Sequence, residues 1–394
     1  MKILIVGAGI AGPTLAYWLL RSGHEPTLVE RAPALREGGY LVDFWGAGFE
    51  VAERMGLVPR LMADGYRVRE MREVSNSGKR IAHLNPLRVI DGAAAGRFVS
   101  IARSDLARAT YDSLDGQVET IFGDTVDEIT ETEDHAAVRF ASGAAREFDL
   151  VIGADGLHSR VRSLAFGPEA DFERYLGITV AAFNLDGYQP RDELVAVTRT
   201  QVGMQALRLA LRDGSTMFCF MFRHDGRLPP EDVAAQQAIL RERVRAAGWE
   251  VPRILDQLPH ARTFYMDRAS QIRMPSWSQG RVALVGDAAA CPSLLAGQGS
   301  ALAMVEAYIL AAALHEAGND YTAAFHQYQS RLGLLVRAKQ DAAIRLGAAF
   351  APRNRRQLRL RNTVIGLMGI PIVARLAVGR SLRDPIHLPP PATD

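Results

Sequence analysis

The sequence is poor in the residue types that build several common kinds of functional site. Its 394 residues include two cysteines, Cys219 and Cys291, which cannot form a disulfide framework and have no zinc-ligand spacing. The nine histidines form no constellation that would make one of them a general base. We therefore expect no bound metal, a reducing cytoplasmic location and chemistry carried by a bound group rather than by catalytic side chains.

Long apolar runs and a strong net charge are also absent. No window reaches the ~18 uninterrupted apolar residues of a membrane span, and the apolar stretch that begins at Val364 is broken by glycines and by Pro371. The formal net charge of +2 is too small to indicate a nucleic-acid partner. With 48% hydrophobic residues, the sequence predicts a globular protein of one large domain or two, without a transmembrane segment.

The N-terminus has the pattern of a strand, a glycine turn, a helix and a second strand, "KILIVGAGIAGPTLAYWLLRSGHEPTLVER". The apolar run after Lys2 could pass for a signal peptide, but the glycine spacing favours dinucleotide binding. Gly7 allows a tight turn, Gly9 lets the backbone approach a pyrophosphate, and Gly12 lets the helix pack on the strand. Glu30 ends the second strand, where a carboxylate binds a ribose diol, which favours FAD or NAD over NADP as the bound dinucleotide.

Two further apolar strands end in acidic turns. The segment "FDLVIGADGLHSRVR" ends its strand in the Asp-Gly turn of Asp155, and "GRVALVGDAA" ends in the Gly-Asp turn of Asp287. A loop of small residues and an apolar helix, "ACPSLLAGQGSALAMVEAYIL", follow the second of these turns. This stretch lacks the side chains that a nucleophile, a metal-ligand set or a proton relay would need. Any chemistry here is therefore expected to be performed by a group that the stretch holds.

These three motifs, in this order and spacing, resemble the single-component flavin-dependent aromatic hydroxylases, the family of p-hydroxybenzoate hydroxylase and the tetracycline-inactivating monooxygenases. The segments "GGYLVDFWGAG" and "VSIARSDL" add to the resemblance, which covers about residues 1 to 330. It implies an α/β fold, with a Rossmann-like FAD-binding domain of the GR2 type, an inserted antiparallel β-sheet domain for the substrate and a C-terminal helix.

The resemblance also implies a set of cofactor-binding residues. Arg103 is expected near the pyrophosphate and the ribityl chain, and Asp43 near the flavin. Asp155 matches a position that the family associates with both FAD and NADPH use, and Asp287 is expected to bind the ribityl hydroxyls. For each of these four, a salt bridge or turn cap is the alternative. The helix from about Ser300 would point its positive end at the flavin N1/C2 carbonyl region. The full set is Gly7, Gly9, Ile10, Ala11, Gly12, Glu30, Arg31, Asp43, Arg103, Asp155, Asp287, Gly297, Gly299 and Ser300.

Between about Tyr175 and Arg273 the pattern changes to alternating strands. In "TMFCFMFRH" the three phenylalanines share one face, and both faces are apolar, which predicts a strand covered on both sides. The functional interpretation is a sheet over a substrate cavity, and the alternative is an ordinary sheet core. The candidate substrate residues are Phe218, Phe220, Phe222, Pro292 and Leu294.

The predicted domain organisation is discontinuous. Residues 1–72, 98–174 and 274–330 form the FAD-binding domain, residues 73–97 and 175–273 the substrate-binding sheet domain, and residues 331–394 a C-terminal helical region. The basic segment at Arg353 with the apolar stretch after it is expected to pack across the substrate entrance or the FAD domain. A membrane-surface helix is the alternative for this segment.

The chain departs from the family pattern in the loop after the Gly-Asp motif. Many members have histidine where Ala290 stands and prolines around Ser293 and Leu294, whereas here only the shifted Pro292 remains. We expect FAD binding to tolerate this difference and the shape of the site above the flavin to change.

The resemblance implies an FAD-dependent monooxygenase that uses NADPH or NADH and O2 to hydroxylate an aromatic or polyketide-like small molecule through a C4a-hydroperoxyflavin. No second GxGxxG is present, which fits a nicotinamide that binds transiently. The open alternatives are a flavin-dependent reductase or dehydrogenase, a halogenase, a Baeyer–Villiger oxidation, and a non-catalytic FAD-binding scaffold. The halogenase WxWxIP motif is absent. The assembly is expected to be a monomer or a homodimer.

Overall fold

The computed structural model describes residues 1–36, 40–86, 96–229, 232–318, 320–368, 384 and 386–391. Gly38 and Gly39 of the "GGYL" segment lie outside the described residues, as do residues 87–95 of the predicted sheet domain and most of the apolar stretch after Val364.

The strands in the described residues are, in chain order, β1 (Lys2–Val6), β2 (Glu25–Glu30), β3 (Leu41–Trp45), β4 (Glu70–Val74), β5 (Arg80–Leu84), β6 (Phe98–Ala102), β7 (Glu119–Phe122), β8 (Val126–Glu131), β9 (Ala136–Phe140), β10 (Ala145–Phe148), β11 (Leu150–Gly153), β12 (Glu173–Asp186), β13 (Val195–Gln201), β14 (Met204–Ala210), β15 (Ser215–Phe222), β16 (Thr263–Ile272), β17 (Ser278–Gln279) and β18 (Val282–Leu284). The α-helices are α1 (Ala11–Arg21), α2 (Ala47–Arg54), α3 (Val58–Asp64), α4 (Arg103–Asp112), α5 (Arg160–Ala165), α6 (Val233–Val244), α7 (Val251–Gln257), α8 (Asp287–Ala290), α9 (Gly299–Ala317), α10 (Tyr321–Phe350) and α11 (Arg355–Met368).

The first sheet has the strand order β17-β18-β11-β1-β2-β7, and its strands are parallel except for β17. Its strands are buried apolar runs, which is typical of a parallel sheet covered on both faces. Because β1, β11 and β18 are parallel neighbours, their carboxyl ends meet at one edge. The glycine turn, the Asp155 turn and the Asp287 turn therefore lie side by side, at the edge where α/β sheets bind ligands.

Helix α9 forms the centre of the core beside this sheet. It packs against α1, α2 and α10, and its residues from Ala301 to Leu314 are all buried. A Cβ on Gly48 of α2 would lie 2.6 Å from Ala301, so these two helices cross in close contact. By length and composition α9 could cross a membrane, but 78% of its apolar window is buried inside the protein, as expected for a core helix.

The second large sheet has the strand order β16-β12-β15-β14-β13-β4-β5. Neighbouring strands are antiparallel except β13 and β4, which are parallel. One face carries the rings of Phe218, Phe220 and Phe222 and packs under α6 and α7. Residues Met217, Cys219 and Met221 alternate with these rings and point to the opposite face.

The predicted domain boundaries fall partly inside single elements. Position 72 lies within β4, position 174 within β12 and position 330 within α10. Strand β4 belongs to the seven-stranded sheet, and so do all the described residues of β12. The division into a cofactor domain, a sheet domain and a C-terminal region remains a prediction.

The C-terminal helix α11 is held on the seven-stranded sheet by a buried ion pair. Arg361 donates to Glu73 of β4 at 3.0 Å, and their side chains are 9% and 3% exposed. Glu73 also accepts hydrogen bonds from Thr198 Oγ1 at 2.9 Å and from the Thr200 amide at 2.7 Å. The ion pair therefore links α11 to Glu73 of β4 and, through it, to Thr198 and Thr200 of β13.

Arg361→Ala is expected to lower the free energy of unfolding by roughly 3 kcal/mol, because removal of one partner leaves a buried charge unpaired. Chemical denaturation of the full chain measures the loss. Arg359→Ala in the same helix is the matched control, because Arg359 is exposed and its loss should cost no more than about 0.5 kcal/mol. Equal free energies of unfolding of the two variants would show that the Arg361–Glu73 pair does not hold α11 on the sheet.

The described residues near the C-terminus return to the helices beside the first sheet. Asp384 accepts from the Ala47 amide at 3.0 Å, at the start of α2, and pairs with Lys339 of α10 at 2.5 Å. The Pro389 carbonyl accepts from Arg54 and from Tyr308. These contacts fix the last described segment on α2 and α9.

Candidate active site

The glycine turn after β1 has two glycines that packing requires and one that faces open space. A Cβ on Gly7, whose φ is +109°, would lie 2.6 Å from the Ala154 carbonyl oxygen, and a Cβ on Gly12 would lie 2.0 Å from the Gly7 carbonyl oxygen. A Cβ on Gly9 would meet no atom within 4 Å. Gly9 thus leaves the room that a pyrophosphate needs beside the start of α1, and the residues present fit a dinucleotide.

Ile10 and Ala11 continue this turn into the helix and are buried. The Ile10 carbonyl accepts from Thr14 Oγ1 at 2.7 Å and from the Thr14 amide at 3.3 Å. The Ala11 side chain lies where a Cβ on Gly286 would come within 3.1 Å of it. The glycine turn and the Gly-Asp turn therefore touch.

Glu30 at the end of β2 turns its carboxylate toward the glycine turn. It accepts from the Ala8 amide and from the Ala32 amide, each at 2.9 Å. The side chain is partly exposed, and the free lone pairs of its two oxygens can accept from a diol. Arg31 follows as an exposed residue.

Asp287 begins α8 directly after β18 and lies against the loop that precedes α9. A Cβ on Gly299 would be 3.6 Å from Asp287 Oδ1. Burial raises the pKa of Asp287, and the charge of Arg103 and a hydrogen bond from the Cys291 thiol oppose this rise. Burial also raises the pKa of Cys291 well above its usual range, so this residue is a thiol rather than a reactive thiolate.

Asp43 lies on the two-stranded sheet of β3 and β6, where it is paired with Ser100, and Arg103 follows β6 directly. The Ser100 hydroxyl donates to Asp43 at 2.5 Å. Asp43 is accessible to solvent yet closely surrounded by protein, so desolvation raises its pKa, as expected on the wall of a deep cleft. Arg103 is exposed at the start of α4 and forms no salt bridge within the described ranges, so its guanidinium is available to an anion.

Asp155, which the resemblance associates with FAD and NADPH use, directs its carboxylate to the start of α5. It accepts from Ser159 Oγ at 2.5 Å, from the Arg160 amide at 2.7 Å and from the Val161 amide at 3.1 Å. These donors form the N-terminus of α5. The alternative interpretation, a turn cap, describes this residue, because α5 has free amides at its start that need acceptors.

The loop before α9 presents backbone to the same edge of the sheet. Gly297 is exposed and has a left-handed φ of +65°, and α9 starts at Gly299, one residue before Ser300. Two buried glutamines support the loop from behind. Gln271 donates to the Pro292 carbonyl at 3.3 Å, and Gln340 to the Cys291 carbonyl at 3.4 Å. No pattern in the sequence marked these glutamines.

The three phenylalanines among the candidate substrate residues follow the alternative interpretation, an ordinary sheet core. Phe218, Phe220 and Phe222 belong to a core layer under α6 and α7, because alternation along β15 places them on the face away from the loop. The opposite face approaches the loop, where Cys219 and Met221 pack with Leu294 and Leu295. Pro292 is buried, and Leu294 is partly exposed beside Cys219.

Two tyrosines that the sequence analysis missed lie close to Arg103 and Asp287. The rings of Tyr40 and Tyr265 are 5.3 Å apart, with an angle of 45° between their planes. Burial raises the pKa of both hydroxyls, and Arg103 opposes the rise. Register across the sheet places Tyr265, Ala182 and Cys219 in one row on one face, which only the strand pairing could reveal.

An ion-pair network supports the Asp287 segment from the other side. Arg162 is fully buried and donates to the Ala288 carbonyl at 3.0 Å and to Glu169 at 2.8 Å. His158 contacts Glu169 at 3.0 Å and Asp267 at 3.3 Å, and hydrogen bonds to these two acids raise its pKa to about 10. In the described part of the chain no group of three His, Cys, Asp or Glu side chains could hold a metal ion.

Comparison with known proteins identifies relatives over nearly the whole chain. A family model described as an FAD binding domain matches residues 1–332. A flavin-dependent monooxygenase of Legionella longbeachae serogroup 1 (strain NSW150) is 34% identical over 351 residues, which cover 89% of this chain and 90% of that protein.

Solved structures show the same likeness. The crystal structure of tetracycline destructase Tet(55) is 31% identical, covers 98% of both chains and superposes with a TM-score of 0.84. Klebsiella pneumoniae HpxO, solved with FAD and uric acid, covers 97% of this chain and 96% of its own, with a TM-score of 0.80. Its identity of 23% supports the fold alone.

Proposed function

Because the chain belongs to the FAD-binding-domain family of flavin-dependent monooxygenases, we propose that it hydroxylates an aromatic or polyketide-like small molecule between the Gly297–Gly299 loop and the face of β15 that carries Cys219. Family membership confirms the predicted α/β fold, the FAD cofactor and the assignment as an FAD-dependent monooxygenase that uses NAD(P)H and O2. Which residues bind the cofactor, and which substrate is used, are proposals.

The cofactor set is proposed from the edge of the first sheet. Gly9 would leave space for the pyrophosphate, Glu30 would accept from the ribose diol, and Asp287 would accept from the ribityl hydroxyls, with Arg103 as the nearby cation. Bound FAD supplies the redox chemistry with NAD(P)H and O2. The amides at the start of α9 would stabilise negative charge that develops beside them.

The observation that carries the substrate proposal is the composition of the opposing wall. Met217, Cys219 and Met221 present an apolar surface, and the tyrosine pair Tyr40 and Tyr265 adds aromatic rings at its edge. Such a wall excludes water and favours a flat apolar ligand, while the tyrosine hydroxyls can bond to polar substituents. Burial raises the pKa of Cys219 to about 12, so this thiol is a contact surface and not a nucleophile.

The names of the solved relatives support the same class of substrate. Tet(51) and Tet(55), which are 33% and 31% identical to this chain, are named tetracycline destructases, and tetracyclines are fused-ring polyketides. A cytoplasmic location, where NAD(P)H is available, and a monomeric or homodimeric state are part of the same proposal.

Cys219→Trp is expected to abolish substrate-stimulated NAD(P)H oxidation, because the indole would occupy the space opposite the loop. We expect kcat/KM to fall about 100-fold or more, while the affinity for FAD stays within about twofold, because Cys219 lies on the sheet rather than at the first-sheet edge. The substrate is first found by a screen of phenols and aromatic polyketides for stimulated NAD(P)H oxidation, with labelled O2 to detect oxygen in the product.

Phe220→Leu is the matched control, since Phe220 is the next residue of β15 but points into the core under α6 and α7. It should lower stability and leave KM unchanged. If Phe220→Leu lost the substrate-stimulated oxidation and Cys219→Trp kept it, the substrate would bind on the face of β15 that carries Phe220, and the proposed assignment of the two faces would be wrong. Product without label would refute oxygen transfer, and oxygen inserted into a carbon–carbon bond would identify a Baeyer–Villiger reaction.

A further inference from the structure

Glu306 is a fully buried acid in the second turn of α9, behind the turn that carries Asp287. Its Oε2 accepts from the Gly286 amide at 2.5 Å. From α10 the Tyr328 hydroxyl faces this carboxyl group, and its Oε1 has no other hydrogen-bond partner in the described residues. Burying a carboxyl group costs free energy, so an apolar side chain would be expected here if packing were its only task.

The Gly286 amide that Glu306 holds stands at the junction of three elements. Gly286 has a φ of +67°, and a Cβ there would lie 3.1 Å from the Ala11 side chain of α1 and 3.5 Å from the Ala303 side chain of α9. Its carbonyl accepts from the amides of Ala289 and Ala290, each at 3.0 Å. The peptide groups on both sides of Gly286 are thus fixed, and the next residue is Asp287.

We propose that Glu306 is a positioning residue for the cofactor site, which acts through the Gly286 amide to fix the direction in which Asp287 leaves β18. The inference rests on the cofactor role proposed for Asp287. Glu306 would touch neither FAD nor substrate. It would hold the turn from behind, as the glutamines Gln271 and Gln340 hold the loop that follows.

Glu306 is suited to this task in its neutral form. Burial and the nearby Asp287 raise its pKa well above the usual range, and the hydrogen bonds with the Gly286 amide and the Tyr328 hydroxyl only partly oppose this rise. The other titratable group that faces it is Tyr328 of α10, whose hydroxyl donates to the Leu284 carbonyl at 3.1 Å. A neutral Glu306 avoids repulsion with Asp287 and keeps an acceptor for the Gly286 amide. Glutamine should therefore replace it.

The test is FAD titration of the apoprotein of the full chain, followed by flavin fluorescence. Glu306→Gln should bind FAD within about twofold of the wild type, because its amide oxygen reaches the same donor. Glu306→Asp withdraws the acceptor by one methylene, and Glu306→Leu removes it. Both should bind FAD roughly tenfold more weakly or worse, because the Gly286 amide loses its partner and Asp287 its direction.

Leu314→Ala is the control for a purely structural effect, since Leu314 is fully buried in α9, two turns further from the site. It should lower the thermal midpoint and leave FAD affinity within about twofold. The proposal is overturned if Glu306→Asp and Glu306→Leu bind FAD as the wild type does, or if Glu306→Gln is as weak as they are. Should Glu306→Leu fail to fold, the pair of Glu306→Asp and Glu306→Gln decides.

A pH series separates the neutral acid from an ionised one. With a raised pKa in the folded state, the wild type loses stability as pH rises from the ordinary carboxyl pKa toward the raised value, because unfolding then releases a proton. Glu306→Gln should lack this part of the slope of unfolding free energy against pH. An identical slope in the wild type and in Glu306→Gln would contradict the inference that Glu306 is neutral in the folded protein. If the wild-type apoprotein itself fails to bind FAD, the proposed cofactor site is wrong, whatever Glu306 does.

Discussion

Gly9→Val is expected to abolish FAD binding while the apoprotein stays folded. The position that a Cβ would take on Gly9 has no atom within 4 Å, so the protein can accept a side chain there. The same space is the proposed pyrophosphate position beside the first amides of α1, and a branched side chain would fill it. We expect FAD affinity to fall more than 100-fold, measured by titration of the apoprotein, with a thermal midpoint close to that of the wild type.

Two other glycines provide the comparison. Gly12→Ala should destabilise the apoprotein itself, because its Cβ would lie 2.0 Å from the Gly7 carbonyl oxygen. Gly333→Ala, at a helical position of α10 with open space around it, should change neither FAD binding nor folding. A Gly9→Val protein that still binds FAD normally would show that the glycine turn serves packing alone.

The sequence was sufficient to predict that the three motifs meet at one edge of the first sheet. Each of the three motifs follows a buried apolar strand, and parallel strands bring their carboxyl ends to one edge of a sheet. Once β1, β11 and β18 are neighbours, Gly9 and Asp287 must lie near each other. Local sequence patterns were sufficient for this juxtaposition because strand direction and the βαβ connection leave few other arrangements.

The face of β15 that is proposed to line the substrate site could not be predicted in this way. Alternation shows that Phe218 and Cys219 point to opposite faces, but both faces are apolar and both are covered. Which face meets the Gly297 loop depends on where α6 and α7 pack, and that is a long-range property. The aromatic rings suggested a substrate wall by composition, whereas the structure uses them as core.

Asp155 shows the same limit for a charged residue. An acid after a strand can bind a cofactor or cap the next helix, and the local sequence is compatible with both. Ser159 Oγ and the amides of Arg160 and Val161 show that this carboxylate caps α5, and a role of Asp155 at the cofactor site stays a prediction. The Glu306 contact to Gly286 spans 20 residues and could not be anticipated from helical periodicity.

The two motif acids are therefore expected to respond differently to the same substitution. Asp155→Ala should lower the free energy of unfolding by about 1–2 kcal/mol, as loss of a side-chain acceptor at a helix N-terminus does, and change FAD affinity little. Asp287→Ala should leave the apoprotein as stable as the wild type or more stable, because burial of this acid is unfavourable, as its raised pKa indicates.

Asp287→Ala should nevertheless weaken FAD binding roughly 10- to 100-fold, because it removes a charge-assisted hydrogen bond worth about 1.5–3 kcal/mol. Chemical denaturation of the apoproteins and FAD titration of both variants measure the two effects separately. Equal loss of FAD affinity in both variants would mean that Asp155 contributes to the cofactor site directly, in spite of its hydrogen bonds to α5. Unchanged FAD affinity in Asp287→Ala would show that the ribityl contact is not at the end of β18. The positioning role proposed for Glu306, which acts through the Gly286 amide on Asp287, would then have no basis.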